Sequence, residues 1–274
     1  MRPQVITCAD DFGLSAGVNE GVERAHRHGI LTSASLMVAG PAAADAVRRA
    51  KAMPGLRVGL HLVLVEGAAS LPAGLPGLVD GSGRFGSGQA RLGFAYGWPG
   101  RWRGLEAEVR AQFQAFAATG LPLDHANAHK HMHLHPVVGA LLVRVGREHG
   151  LRALRVPAEP PSVMRALGEP QGLGAMALYA GARVLRRQGQ QAGLRMPDQV
   201  FGLAWSGHMT TDRLRRLAPL LPPGLTELYF HPAAERDAHV AALMPGYEHE
   251  AELAALCDPA VRQALAGATL TTYG

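Results

Sequence analysis

Short apolar or β-branched runs recur at residues 4–8, 32–38, 57–62, 123–126, 153–156, 200–203 and 226–230, and the stretches between them carry helical periodicity. This alternation constrains the fold more than any other feature. Repeated strand–helix–strand units call for parallel pairing, so the sheet is either closed as an α/β barrel or doubly wound. Residues 16–28 read as a helix with Val18, Val22 and Ala25 on its apolar stripe and Gly29 as its stop. Residues 41–53 open on Pro41 and run into Pro54 and Gly55, and 105–118 and 137–149 are each followed closely by a glycine, Gly120 and Gly150. The pattern at 172–191 predicts one more helix, suited equally to packing on the barrel, on a second subunit or on a membrane surface. A length of 274 residues and a hydrophobic content of 47% suit one α/β barrel, so a single domain over 1–274 is expected.

Residues 67–104 break the rhythm, being rich in glycine and proline with isolated aromatics at Phe85, Phe94, Tyr96, Trp98 and Trp102. Long insertions of this kind in compact domains serve binding, which predicts a lid or a sugar-stacking platform.

The formal charge is +5, and of 27 basic residues only Lys51 and Lys130 are lysine. The arginines are scattered along helical stretches with no aromatic-interleaved basic run, which argues against nucleic acid as a partner. Cys8 and Cys257 sit in segments expected to be buried, without redox or zinc spacing, so disulfides are not expected. The first eight residues lead straight into a strand with no charged and apolar leader pattern, which makes the cytoplasm the expected compartment. The longest apolar stretches, 136–143 and 173–182, fall short of the roughly 18 residues a bilayer crossing needs, so membrane contact would be peripheral, at the inner face. A homodimer is the default assembly for such a chain.

Polar clusters occupy the C-terminal ends of several predicted strands, where α/β barrels place their active sites. Asp10 and Asp11 directly follow the first strand with no basic neighbour in sequence, and two carboxylates held together require positive charge. A divalent metal satisfies one and leaves the other to act on water. His61 ends the third strand, with Gly59 before it allowing close backbone approach. Between His125 and His135 lie five of the chain's 13 histidines, the others being His129, His131 and His133. Imidazole is the commonest metal-binding side chain near neutral pH, and continued strand alternation at 125, 127, 129, 131 and 133 would bring the set to one side. An open catalytic site needs about three protein ligands, so one acid and two histidines suffice. Glu227-Leu228-Tyr229-Phe230-His231-Pro232 is a further strand ending in a histidine.

Ala9-Asp10-Asp11-Phe12-Gly13-Leu14-Ser15 with Val18-Asn19, then residues 32–37, Gly59-Leu60-His61-Leu62, Asn127 through His133 and Phe230-His231-Pro232, taken in order, resemble the YdjC-like carbohydrate deacetylases over residues 4–235. The resemblance implies a distorted (β/α) barrel of the polysaccharide-deacetylase-like (NodB-like, glycoside hydrolase/deacetylase) type and removal of N-acetyl groups from amino sugars such as acetylated chito-oligosaccharides. By position it implies Asp11, His61 and His129 as ligands of one divalent metal and Asp10 as the base; two histidines and a carboxylate suit zinc, with magnesium or another transition metal as alternatives. Residues 63–67, 121–125, 133–136 and 155–159 are similar to the hopanoid-biosynthesis-associated branch, HpnK, which implies an N-acetylglucosaminyl hopanoid glycolipid as substrate.

On this reading Asp10 takes a proton from the attacking water and His231 protonates the departing nitrogen. Asn127, His131, His133 and Arg155 are substrate-binding or supporting groups. A glycosidase would need two carboxylates flanking the scissile bond, whereas these two acids are adjacent. A metal-dependent phosphoesterase is a further rival. A purely metal- or sugar-binding barrel would have no use for Asp10 beside the ligand acid.

Overall fold

The computed structural model describes residues 2–169 and 172–274. Six strands form one parallel sheet: β1 (Gln4–Phe12), β2 (Ser33–Leu36), β3 (Arg57–Leu62), β4 (Ala126–Ala128), β5 (Gln199–Phe201) and β6 (Leu225–Phe230), in the order β4-β3-β2-β1-β6-β5. A short β7 (Thr269–Thr271) pairs with residues 4–6 of β1, and β2 takes β1 from Cys8 onward. Helices return the chain between strands, so nearly every strand residue is buried on both faces.

The sheet curls, and its outer strands β4 and β5 are joined by residues 152–158. Ala126 N donates to Ala153 O, Leu154 N to Arg195 O and Val200 N to Ala158 O, at 2.9–3.1 Å. The strand expected at 153–156 is therefore reduced to isolated bridges, yet its backbone still links both neighbours and completes the distorted barrel. The strand expected at 123–126 lies later, at Ala126–Ala128. β7 was not foreseen, because Thr-Leu-Thr has no periodic signature and its order comes from pairing with β1.

The first helix, Ala16–His28, matches its expected bounds. Ser15 Oγ caps it by accepting from Val18 N at 3.2 Å, and Val18, Val22 and Ala25 are its buried stripe. Each large apolar side chain sealed in this core, Phe12 and Leu36 among them, contributes about 1.5–3 kcal/mol relative to exposure.

The insertion at 67–104 is folded and anchored. Glu108 on the helix Trp102–Ala118 accepts from the backbone N–H groups of Ser70 (2.8 Å) and Leu71 (2.7 Å), and the Tyr96 hydroxyl donates to Leu64 O at 2.5 Å. Its aromatics divide: Phe85 and Tyr96 join the core, whereas Phe94, Trp98 and Trp102 stay exposed. The helix Leu173–Gln191 packs on the barrel through Ala182 and Leu185, and Gln188 Nε2 donates to Pro136 O at 3.1 Å. Cys8 is buried as expected, but Cys257 is only half-buried.

Candidate active site

The end of β1 is bent to present its two acids. Register slips between Ala9, opposite Ala34, and Phe12, opposite Leu36, and Asp11 takes a left-handed φ of 61°. Gly13 follows at φ 99°, a conformation that favours glycine. Leu14 N donates to Asp11 O at 2.9 Å, and the buried Asn19 accepts from Gly13 N at 2.8 Å. The Asp10-Asp11-Phe12-Gly13 turn is thus fastened from the first helix by Asn19.

Asp11, His61 and His129 converge, all buried, with one potential ligand atom from each lying within 4.8 Å of the others. Asp11 Oδ1 lies 3.2 Å from His61 Nε2 and 2.9 Å from His129 Nδ1, yet neither Asp11 oxygen has an aligned hydrogen-bond donor. Burial pushes the Asp11 carboxyl up, but the adjacent His129 and His61 imidazoles outweigh it and hold it well below the usual carboxylate range. A buried carboxylate without an aligned donor, facing two imidazoles, is a donor set that fits a divalent cation. Gly59 makes room beneath: a Cβ there would meet His125 O at 2.5 Å, so the close passage of residue 125 behind β3 requires glycine.

Asp10 is satisfied differently. Arg155 grips it with two nitrogens, Nη1 to Oδ2 at 2.5 Å and Nη2 to Oδ1 at 2.8 Å. Burial raises the Asp10 carboxyl, but Arg155 and then His61 dominate and hold it well below the ordinary range, so it is ionised throughout the neutral region. The same guanidinium binds Glu227 Oε1 through Nε (2.8 Å) and Nη2 (2.6 Å), and Tyr273 OH donates to Glu227 Oε2. The two acids are therefore served differently: a remote arginine neutralises Asp10, and Asp11 is left facing two imidazoles. The Asn127 amide lies against His61 Nδ1 (2.6 Å), Ser35 Oγ (2.8 Å) and the two Arg155 terminal nitrogens (3.0 and 3.1 Å).

The histidine tract does not continue as a strand. Pairing stops at Ala128, and Lys130 and His131 adopt φ of 48° and 54° inside the 3₁₀ turn His129–Leu134, which scatters the side chains. His131 lines the cavity and bonds Tyr229 OH through Nε2 at 3.0 Å; burial pushes its pKa down to about 3. His133 is buried with Nε2 3.2 Å from Arg155 O, so it props the segment that carries Arg155. His125 lies outside the cavity, bonded to Ser35 Oγ (3.1 Å) and Asp124 (3.0 Å) and stacked on Tyr273.

The cavity, of about 340 Å³, has Asp10, His61 and His129 at its base and His131, Tyr229, His231 and Tyr247 on its walls. His231 follows β6, with its ring edge-on to Tyr229 and Tyr247 and its Nδ1 4.0 Å from Glu252 Oε2, without a hydrogen-bond partner. Burial lowers its pKa to about 4, so it is neutral at pH 7. Its backbone is clamped: His231 N donates to Glu252, and His231 O lies 2.7 Å from His249 Nδ1. Glu252, Tyr247, Gln89 and Tyr229 were not foreseen as site residues. The helix carrying Glu252 lies far along the chain, and only the end of β6 signalled Tyr229.

Glu252 also yields a stability prediction. Burial pushes its carboxyl up to about 7 despite N–H groups donated by His231 and Met209. The folded chain therefore holds a proton that the unfolded chain releases near the ordinary carboxylate value, and stability should fall as pH rises between those two points, by about 3 kcal/mol for this group. Because the buried neutral histidines pull the other way, the effect is read as a difference: from pH 5 to 8 the wild type should lose melting temperature relative to Glu252→Gln, and a pH-independent offset between the two would assign the effect elsewhere.

The model of the YdjC-like protein family matches residues 4–267. A carbohydrate deacetylase of Geobacillus stearothermophilus is 32% identical over 272 residues, covering 98% of this chain and 96% of that protein. A carbohydrate deacetylase of Brevibacillus brevis is 42% identical over 158 residues, a match confined to 58% of this chain and 59% of that protein. Among solved structures, a protein of Enterococcus faecalis V583 described as a cellobiose-phosphate cleavage protein superposes with a TM-score of 0.77 at 22% identity, covering 100% of this chain and 98% of that one, a likeness of fold. With the fold, the strand-end acids and a family match over nearly the whole length, this chain belongs to the YdjC-like family.

Proposed function

We propose that this chain is a metal-dependent carbohydrate deacetylase that hydrolyses the N-acetyl group of an amino sugar, its substrate an N-acetylglucosaminyl lipid of the hopanoid type. The observation that carries the chemistry is the division of labour between adjacent acids, Asp11 turned on His61 and His129 and Asp10 held ionised by Arg155. A divalent cation held by Asp11, His61 and His129 would supply Lewis acidity to the acetyl carbonyl and to water. Asp10 accepts a proton from the water that attacks the carbonyl carbon. The C–N bond then breaks, giving acetate and a free amine. His231 starts neutral, so the proton it delivers to the leaving nitrogen is one acquired within the cycle, and the net transfer runs from water to amine. Tyr229 and His131 line the cavity that receives the sugar.

The lipid part of the reading is supported by a second groove, of about 910 Å³, which shares Gln89, His131 and Leu178 with the catalytic cavity. Met132, Leu134, Pro136 and Val184 make its walls mostly apolar. A sugar in the cavity would extend a hydrophobic aglycone along this groove, whereas a chito-oligosaccharide would meet few polar partners there.

The test is acetate release from an N-acetylglucosaminyl hopanoid and, in parallel, from acetylated chito-oligosaccharides, with metal-stripped and zinc-restored protein. Metal-restored release from the lipid is the expected result. Release from the oligosaccharides alone would overturn the lipid assignment, and release from neither with metal bound would overturn the deacetylase reading.

A further inference from the structure

The two segments that flank the groove are chemically unlike the rest of the molecule. Residues 67–104 and 172–193 contain seven arginines and a single carboxylate, Asp80. Together they carry +6, whereas the whole chain carries +5, so the remainder is slightly negative. Among the described residues, none of these seven arginines forms an ion pair with a carboxylate, although arginines elsewhere in the chain do so repeatedly. The positive charge of the chain is therefore concentrated in the two segments that supply the groove's two sides.

Exposed aromatic and aliphatic side chains gather in the same place. Phe94 is 85% and Trp98 66% exposed, on or just after the helix Gln89–Tyr96 that supplies Ala90 and Gly93 to the groove. Across the groove, the helix Leu173–Gln191 exposes Leu178, Tyr179 and Val184, of which Leu178 and Val184 line the groove itself. Aromatics beside arginines at the rim of an apolar groove form an amphipathic face: the rings match the interfacial layer of a bilayer, and the guanidinium groups match anionic headgroups. No described helix is long and apolar enough to cross a membrane, so such a contact would lie at the surface.

We propose that this arginine-rich, aromatic rim docks the protein on an anionic lipid bilayer, with the groove opening against the membrane so that an amphipathic substrate passes sideways into the catalytic cavity. The proposal extends the glycolipid reading, but its test requires no acetylated substrate, so the two can fail separately.

The full-length protein is floated with vesicles of phosphatidylcholine alone and of a phosphatidylcholine–phosphatidylglycerol mixture, at low and raised salt. Partitioning should rise about tenfold or more on the anionic vesicles and fall with salt, as the summed pull of several arginines requires. Phe94→Ser with Trp98→Ser, at exposed positions that leave the core intact, should lower partitioning while the melting temperature is unchanged, and Arg183→Glu with Arg187→Glu should abolish the preference for anionic lipid. Trp98 emission should shift to the blue on vesicles. Equal partitioning into both vesicle types, or variants that partition like the parent, would overturn the proposal. A change of sedimentation coefficient in the Phe94/Trp98 variant without any change on vesicles would also overturn it, assigning the face to a second copy of the chain.

Discussion

Asp10→Asn should lower kcat for acetate release by about a thousandfold, within the range general-base removal produces, while KM and metal binding change little. The reason lies in the charges. Asp10 and Glu227 share the guanidinium of Arg155, so the buried cluster holds two carboxylates against one cation. Neutralising Asp10 leaves a balanced Arg155–Glu227 pair, and the asparagine oxygen can still accept from Arg155, so the fold should survive. The variant is therefore a clean test of chemistry. Steady-state kinetics with calorimetric metal titration would check it, and wild-type turnover in a metal-loaded Asp10→Asn protein would remove Asp10 from the mechanism.

Arg155→Met should have the opposite profile, with its largest effect on stability. Arg155 is buried between Asp10 and Glu227, and its loss strands two carboxylates in a dry interior. Breaking a buried pair from one side costs about 3–5 kcal/mol, which for a chain of this size lowers the melting temperature on the order of 10 °C. Adding Glu227→Gln should recover part of the loss, because only Asp10 then remains charged. Activity should fall as well, with a pH signature. Arg155 holds the Asp10 carboxyl low, so its removal lets that pKa rise and moves the acidic limb of the kcat/KM profile toward neutral pH. Thermal melts of the single and double variants, with the pH profile, would check both effects. An unchanged melting temperature would mean that the cluster is relieved by water rather than by Arg155.

The barrel and its acids were legible for different reasons. Strand–helix alternation predicted β1, β2, β3, β5 and β6 because each is a short apolar run bounded by helix caps. β4 is displaced, and residues 153–156 lose their ladder, because pairing partners rather than local sequence decide whether an extended segment becomes a strand. Asp10, Asp11 and His61 stood out because each sits where a strand ends. The histidine tract misled by its spacing: alternation applies only while the chain stays extended, and the positive φ values at Lys130 and His131 end it after Ala128. Arg155 stood among the substrate-binding or supporting groups, but Glu227 and Tyr273, which complete its cluster, read as ordinary strand and tail residues. Their role depends on three distant segments meeting in the barrel interior. In the insertion, composition suggested exposed aromatics without distinguishing those that fill the core, Phe85 and Tyr96, from those that face solvent, Phe94 and Trp98.

On the proposed mechanism, Asp11, His61 and His129 hold the metal on which deacetylation depends. The most direct measurement is a zinc titration of metal-stripped protein, following heat of binding and acetate release on the same samples, for wild type and for Asp11→Ala, His61→Ala and His129→Ala. Wild-type release should rise in proportion to bound metal and level off at one equivalent, and each variant should lose tight binding and activity together. Full acetate release from stripped protein, or tight one-to-one binding in all three variants, would contradict it.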